Sequence, residues 1–156
     1  MRAIVQKVIS GGVNIPDSNY KEEINAGIVI LIGVKAGDSI NDAEFVADKC
    51  SALRIFSEKD AKPESGNDKM SLSVKDINGE ALIISQFTLY GDTSRGNRPD
   101  FTKAAKPDEA LNLYQNFIDR MKLNLGSEKI KTGIFGKMML VKIINDGPVT
   151  IIIDSK

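Results

Sequence analysis

The 156-residue sequence contains no histidine and one cysteine. Without an imidazole, Ser-His and Cys-His nucleophile pairs are excluded. His-containing zinc sites are excluded with them, and one cysteine builds neither a Cys-only site nor an internal disulfide. Long hydrophobic runs are also missing; none approaches the ~20 residues that span a bilayer, so no membrane partner is expected. The start, Met1-Arg2-Ala3-Ile4-Val5-Gln6, turns polar too soon for a signal peptide, and a cytoplasmic location is expected. There is no excess of charge of either sign, with 21 basic and 21 acidic residues. A global basic field that coats nucleic acid is therefore excluded, and a nucleic-acid partner has to be gripped locally. An enzyme of this composition works with carboxylates, hydroxyls, backbone amides or groups on its substrate; neither a metal nor a cofactor is expected.

What is present suffices for one sizeable core, since 42% of residues are hydrophobic, and the length predicts one domain over 1–156. Alternation over 1–9 predicts a strand, punctuated by Ser10-Gly11-Gly12, with Val13-Asn14-Ile15 a short strand before Pro16. The β-branched run from Ile28 to Val34 predicts a strand buried on both faces. Asn41 as N-cap, with Glu44 three residues on, predicts a helix with the stripe Ala43, Val46, Cys50 and Leu53. Cys50 on that stripe is core rather than nucleophile. Strands are expected at Leu53–Phe56 and Met70–Val74, with a charged surface loop at 58–70 between them. Asn78-Gly79 predicts a hairpin into a strand over 80–89. Pro107, Asp108 and Glu109 open a second helix with Ala110, Tyr114, Phe117, Met121 and Leu125 buried, Leu111 and Ile118 widening the stripe, and Gly126 as the stop. A short strand at 129–131, a Gly-spaced turn at 132–136 and strands at 138–144 and 149–153 complete the chain. Asp146-Gly147 reads as a hairpin turn between the last two, although Pro148 removes a ladder donor there.

Two stretches invite a chemical reading. Ile83-Ile84-Ser85-Gln86-Phe87-Thr88-Leu89 begins as a buried apolar run and then presents polar side chains. By the two-residue period Ser85, Phe87 and Leu89 share one face, and Gln86 and Thr88 the other. Such a segment is either the wall of a site or a strand end reaching solvent. The loop 91–106 is long, and between 93 and 106 Arg95, Arg98, Lys103 and Lys106 face Asp100 alone. Loops of this length are often functional; the plain alternative is a solvated excursion.

Ser85-Gln86-Phe87-Thr88-Leu89 and Asn145-Asp146-Gly147-Pro148-Val149-Thr150 together carry a specific resemblance. With Met1–Gln6, Thr132-Gly133-Ile134-Phe135-Gly136, Leu53–Phe56 and Lys69-Met70, the chain resembles the D-aminoacyl-tRNA deacylases nearly end to end. It departs from them in a longer 58–70 loop, in lacking an Arg at Ser10-Gly11-Gly12, and in Lys137 where a small residue is usual. The resemblance implies an α/β fold of two packed, barrel-like, mostly antiparallel or mixed β-sheets with two main helices on one side. It implies a homodimer that hydrolyses the ester joining a D-amino acid to the 3′-terminal adenosine of tRNA, a proofreading step that also clears glycyl-tRNA. Ser85, Gln86, Phe87 and Thr88 are then the catalytic wall. Gly147 and Pro148, joined by a cis bond and inserted into the partner subunit's site, read chirality by crowding an L side chain. Met139, Phe135 and Leu89 line the substrate, and Arg95, Arg98 and Lys137 are candidate tRNA contacts.

With no base to activate it, a free Thr88 alkoxide is unfavourable. The chemistry then falls to backbone N–H groups near Phe87 and Thr88, to an orienting Thr88 hydroxyl, and to the 2′-hydroxyl of the substrate ribose. Two other duties stay open: a relative that clears glycine or small L-amino acids from the wrong tRNA, and a non-catalytic RNA-binding module of the same fold.

Overall fold

The computed structural model describes residues 1–64 and 67–155. Its centre is β1 (Arg2–Asn14). On one side β1 pairs along its whole length with β6 (Leu140–Asp154), antiparallel. On the other side its first half pairs with β3 (Gly27–Gly33) and its second half with β2 (Lys21–Ile24), both antiparallel. β4 (Glu80–Ser85) adds parallel to β3, and β5 (Ile130–Thr132) parallel to β4. The expected barrel-like mixed sheet is present, its strands forming one hydrogen-bonded path, β2-β1-β3-β4-β5, with β6 on β1.

β3 is buried on both faces, as its run of β-branched residues requires. Ile28, Ile30 and Ile32 face the larger core under the helices, whereas Val29 joins Val8, Val13, Ile24, Leu82 and Ile84 on the opposite face. Ala3 and Val5 belong to the first core but Val13, of the same parity, to the second. Register shifts at Gln6/Val8 and Val8/Ser10 turn the strand over between them. For the same reason Ser10-Gly11-Gly12 does not end the strand. Gly11 continues it where a Cβ would lie 2.8 Å from Val29 Cγ2, so the residue permits close approach rather than a turn.

The two main helices pack on each other and on the sheet. α1 (Ile40–Ala52) starts two residues before the sequence suggests: Ser39, not Asn41, is the cap, and Asp42 completes the capping box. Of its expected stripe Ala43, Val46 and Cys50 are buried, whereas Leu53 is the half-buried residue that follows the last turn. α3 (Pro107–Leu125) has Pro107 in its first turn and stops at Gly126. Tyr114 and Phe117 are core, as expected. Leu113 is buried in place of Leu111, which is 47% exposed; at 100° per residue Leu111 falls on the flank of the stripe. Arg120 grips Asp48 with two bonds of 2.7 Å across the helix pair.

Several expected strands are not formed. Leu53–Phe56 and Met70–Val74 meet only at the single bridge Phe56↔Leu72. Ser57, just after the first run, and Ser73, near the end of the second, turn the chain instead. Asp60 accepts from Ser57 N and Oγ (2.5 and 3.0 Å), and Asp76 from Ser73 N and Oγ (2.8 and 2.7 Å). The first of these opens α2 (Glu58–Ala61), a one-turn helix inside the expected 58–70 loop; the part of that loop at Ser65 and Gly66 lies outside the described residues. Asn78 adopts positive φ (53°), but with no strand before it there is no hairpin. Finally, 138–144 and 149–153 are one strand, β6, and Asn145–Pro148 is a bulge within it rather than a turn. Among the described residues no helix is long and apolar enough to cross a membrane.

Candidate active site

β4 ends at Ser85 because its neighbour β3 ends at Gly33, and the sequence-expected strand over 86–89 is not formed. The last sheet bond runs from Gln86 N to Ile32 O (2.8 Å). Phe87–Tyr90 then form a single 3₁₀ turn, closed by Leu89 N to Gln86 O (3.3 Å) and Gly91 N to Thr88 O (2.9 Å). Gly33 lies beneath it: a Cβ there would sit 3.1 Å from Gln86 O, 3.1 Å from Leu89 Cβ and 3.3 Å from Tyr90 Cε2. Gln86 and Thr88 meet because the chain turns, not because they share a strand face. The Gln86 side-chain amide donates to Thr88 Oγ1. The N–H groups of Phe87 and Thr88 open the turn and, among the described residues, have no carbonyl one turn earlier to receive them. Thr88 is exposed, Ser85, Gln86 and Leu89 are half-buried, and Phe87, 58% exposed, rests edge-to-face on Phe101 with centroids 5.1 Å apart.

The turn has a tether that the sequence alone did not reveal. Arg2 forms a fork with Asp154 (2.7 and 3.0 Å), and its Nη1 donates to Leu89 O at 3.5 Å. Its guanidinium carbon also lies 5.6 Å from the Tyr90 ring centroid. The hydrogen bond from Arg2 holds the Asp154 carboxyl below the usual carboxylate range. The pair is invisible until Arg2 and Asp154 are placed opposite each other in the β1–β6 register.

The segment after β5 closes on the same strand end. Gly133 N donates to Ile83 O (3.0 Å), and the Met139 thioether covers Gly133 beside Ile84, next to Ser85. Phe135 packs on the larger core with its ring 5.7 Å from that of Tyr114. Lys137 is exposed in the turn between them.

Gly147-Pro148 is a cis bond, and Gly147 has φ of 131°. The register passes from Val8↔Asn145 to Gln6↔Thr150, so Lys7 alone faces residues 146–149. Lys7 Nζ reaches Asp146 (2.9 Å) and Asp60 (2.8 Å). Gly147 and Pro148 are exposed. Within one chain they are far from Thr88. Ser85 is level with Ile32 and hence Ala3, whereas the bulge faces Lys7. Four residues along a strand and three strands across amount to about 20 Å along the sheet. One chain therefore brings Ser85–Leu89 and Met139 together, with Phe135 close by, but not Gly147 and Pro148.

The basic loop forms a separate feature. Its residues, Arg95 and Arg98 included, line an open hollow of about 800 Å³ that takes in neither Thr88 nor Pro148. Asp92 and Asp100 bridge the loop's ends through backbone bonds of 2.8 and 2.9 Å. Asp92, which precedes the basic stretch 93–106, accepts from Lys103 at 2.7 Å. The hydrogen bond from Lys103 drives the Asp92 carboxyl well below its ordinary range. Lys103 is thus neutralised, while Arg95 and Arg98 form no ion pair among the described residues. Phe101 connects the loop to Phe87. Among the described residues no three His, Cys, Asp or Glu side chains gather as a metal site.

A curled mixed sheet backed by two helices is an architecture shared with solved structures. One solved structure with this fold is that of a probable eukaryotic D-amino acid tRNA deacylase (TM-score 0.82, 15% identity, 98% of each chain). Another is the c-Myc DNA Unwinding Element Binding Protein (TM-score 0.89, 34% identity, 100% of this chain and 99% of that one). The model of the D-Tyr-tRNA(Tyr) deacylase family matches residues 4–154. The D-aminoacyl-tRNA deacylase of Flavobacterium psychrophilum is 47% identical over 156 residues, all of this chain and 98% of the relative. That of Thermotoga petrophila is 46% identical over 155 residues, 99% of this chain and 97% of the relative. The chain belongs to the D-Tyr-tRNA(Tyr) deacylase family.

Proposed function

We propose that this chain hydrolyses the ester between a D-amino acid and the 3′-terminal adenosine of tRNA, releasing the free amino acid and tRNA. The observation that carries the reading is the turn at the end of β4. In a chain without histidine it presents the two unreceived N–H groups of Phe87 and Thr88 beside a hydroxyl held by Gln86. Water attacks the ester carbonyl carbon, the developing oxyanion accepts from these N–H groups, and the 3′-oxygen leaves. Where measured, one such donor is worth ~3–4 kcal/mol in the transition state. The Thr88 hydroxyl, its oxygen occupied by Gln86, directs its own proton to the ester or the water. The vicinal 2′-hydroxyl of the ribose positions the water in place of a protein base. Met139, Phe135 and Leu89 line the aminoacyl group, and Arg95, Arg98 and Lys137 meet the tRNA phosphates. The whole activity resides in one domain, in the cytoplasm.

The working unit is a homodimer in which Gly147 and Pro148 of one chain enter the site of the other. β6 supports this reading: β1 is its only strand partner among the described residues, and it exposes Leu140 (62%), Ile144 (41%) and Ile152 (62%). A long, apolar, unpaired edge asks for a covering chain. The alternative of a non-catalytic nucleic-acid module has one observation in its favour, the likeness to the c-Myc DNA Unwinding Element Binding Protein. Against it stands the zero net charge, which leaves no global basic field to hold nucleic acid.

The test is initial rates on D-Tyr-, Gly- and L-Ala-tRNA. Hydrolysis of the D-ester and of glycyl-tRNA with the L-ester spared is expected. Preference for glycine or L-alanine would assign the other family duty, and no turnover would assign the module. A D-aminoacyl-tRNA whose terminal adenosine lacks the 2′-hydroxyl should be cleaved poorly; undiminished hydrolysis would reject substrate assistance.

A further inference from the structure

The bulge that carries Gly147 and Pro148 has almost no sheet to hold it. Between Asn145 and Thr150 four residues of β6 face one residue of β1, so their backbone groups lack ladder partners. Val149 packs against the larger core at the far end of the bulge, and the charged side-chain hold on its near end, at Asp146, comes from that one residue. Lys7 reaches Asp146 at 2.9 Å and, in the other direction, Asp60 of α2 at 2.8 Å, with its ammonium 5.5 Å from the centroid of the Phe56 ring. The Lys7 and Asp60 side chains are only 13% and 18% exposed. Asp60 divides its carboxylate: Oδ2 accepts from Ser57 N and Oγ, fixing the first turn of α2, and Oδ1 takes Lys7. A one-turn helix from the middle of the chain is thereby joined, through one ammonium, to the bulge. An ammonium has three donors on a flexible stem, and a second anchor decides where it points.

We propose that Asp60 is a positioning residue for the Gly147-Pro148 bulge, acting through Lys7, and so sharpens the discrimination between D- and L-aminoacyl groups. This rests on the reading of the bulge as the element that excludes the L side chain. Without Asp60 the Lys7 ammonium follows Asp146 alone, and the bulge gains freedom to retreat from an L substituent.

The experiment compares Asp60→Asn, Asp60→Glu and Ser57→Ala in the full-length protein, with Pro148→Ala alongside. Asn keeps an acceptor for Ser57 but loses the charge toward Lys7; Ser57→Ala weakens the α2 cap and keeps the charge. Two quantities are read: amide hydrogen exchange of the peptide spanning 145–150, and the ratio of hydrolysis rates on L- and D-Tyr-tRNA. Asp60→Asn is expected to speed exchange at 145–150 and raise the L-to-D ratio about tenfold, within the range for groups coupled in one charge network. Ser57→Ala should do neither at a comparable loss of Tm, and Asp60→Glu should restore both. Unchanged exchange in Asp60→Asn, or equal effects of Asp60→Asn and Ser57→Ala, would overturn the proposal. So would faster exchange with an unchanged ratio while Pro148→Ala shifts that ratio. If Pro148→Ala also leaves the ratio unchanged, the reading of the bulge itself fails and the proposal falls with it.

Discussion

The Gln86 side chain donates to the hydroxyl of Thr88, two residues away along the same turn. The bond places a donor on the Thr88 oxygen and supplies no base to take its proton, so the hydroxyl is not activated as a nucleophile and serves as a directing donor. Thr88→Ala is therefore expected to lower kcat on D-Tyr-tRNA by about 10²-fold, as for the loss of one directing hydrogen bond, with KM nearly unchanged. Gln86→Ala should give a smaller loss in kcat. Complete loss of turnover in Thr88→Ala with tRNA binding intact would favour a covalent route instead.

Gly33 allows the turn to lie close to β3. A methyl group there meets a backbone oxygen and two side chains at 3.1–3.3 Å, so the Gln86–Tyr90 turn has to move outward by a few tenths of an ångström. Displacement of about 1 Å costs up to 10²-fold in rate. Gly33→Ala should thus reduce kcat by about tenfold while Tm falls only slightly. A large fall in Tm with kcat preserved would show that Gly33 serves the sheet rather than the turn.

Arg2 holds the same turn from the other side through Leu89 O, braced by Asp154. Both side chains are more than a third exposed, 38% and 50%, so breaking the pair should change stability by no more than about 1 kcal/mol. Its effect on kcat should be the larger one. Arg2→Lys should not rescue it, because an ammonium cannot grip Asp154 with a fork and reach Leu89 O together. Steady-state kinetics beside urea titrations check both halves.

The acid side of the stability profile has a definite sign. The hydrogen bond from Arg120 keeps the Asp48 carboxyl below its ordinary range against the opposing effect of burial, with Asn124 assisting. A carboxylate depressed in the folded state stabilises fully above its unfolded value, about 3.9. That contribution is lost as pH falls through the depressed value. Asp48→Asn should therefore lower Tm at pH 7, and the gap to the parent protein should narrow as pH is taken toward 3. A gap that stays constant with pH would mean that Asp48 acts through packing.

What could be read in the sequence follows from which residues had a local cause. The β3 run, the centre of the α3 stripe (Ala110, Tyr114, Phe117, Ile118 and Met121) and the core position of Cys50 depend on composition and period, and they hold; Leu111 and Leu125 at its margins are not fully buried. Leu53–Phe56 and Met70–Val74 fail because Ser57–Asp60 and Ser73–Asp76 capture backbone donors locally, which a strand pattern does not register. The continuity of β6 through Gly147-Pro148 was illegible, since it exists only because β1 supplies one partner for the entire strand. Arg2, Lys7 and Asp60 were missed for the same reason; each acts on a residue distant along the chain. Of the site, Ser85–Leu89 was legible as a polar interruption, but its turn required knowing where β3 ends.

The arrangement across two subunits can be decided by mixing variants. A single chain leaves Pro148 about 20 Å along the sheet from Thr88; on the proposed reading, Pro148 acts on the Thr88 of a second copy. Sedimentation should give twice 17.0 kDa. Pro148→Ala alone should hydrolyse both D- and L-Tyr-tRNA, and Thr88→Ala alone very little of either. In a hybrid dimer, Pro148 of the Thr88→Ala chain faces the intact Thr88 of the Pro148→Ala chain, so one site carries neither lesion and cleaves only the D-ester. The other site carries both and is weak. Titrating Thr88→Ala into Pro148→Ala, after dissociation and reassembly, should therefore raise the D-to-L rate ratio of the mixture. If each chain used its own Pro148, every surviving site would be relaxed and the ratio would not move.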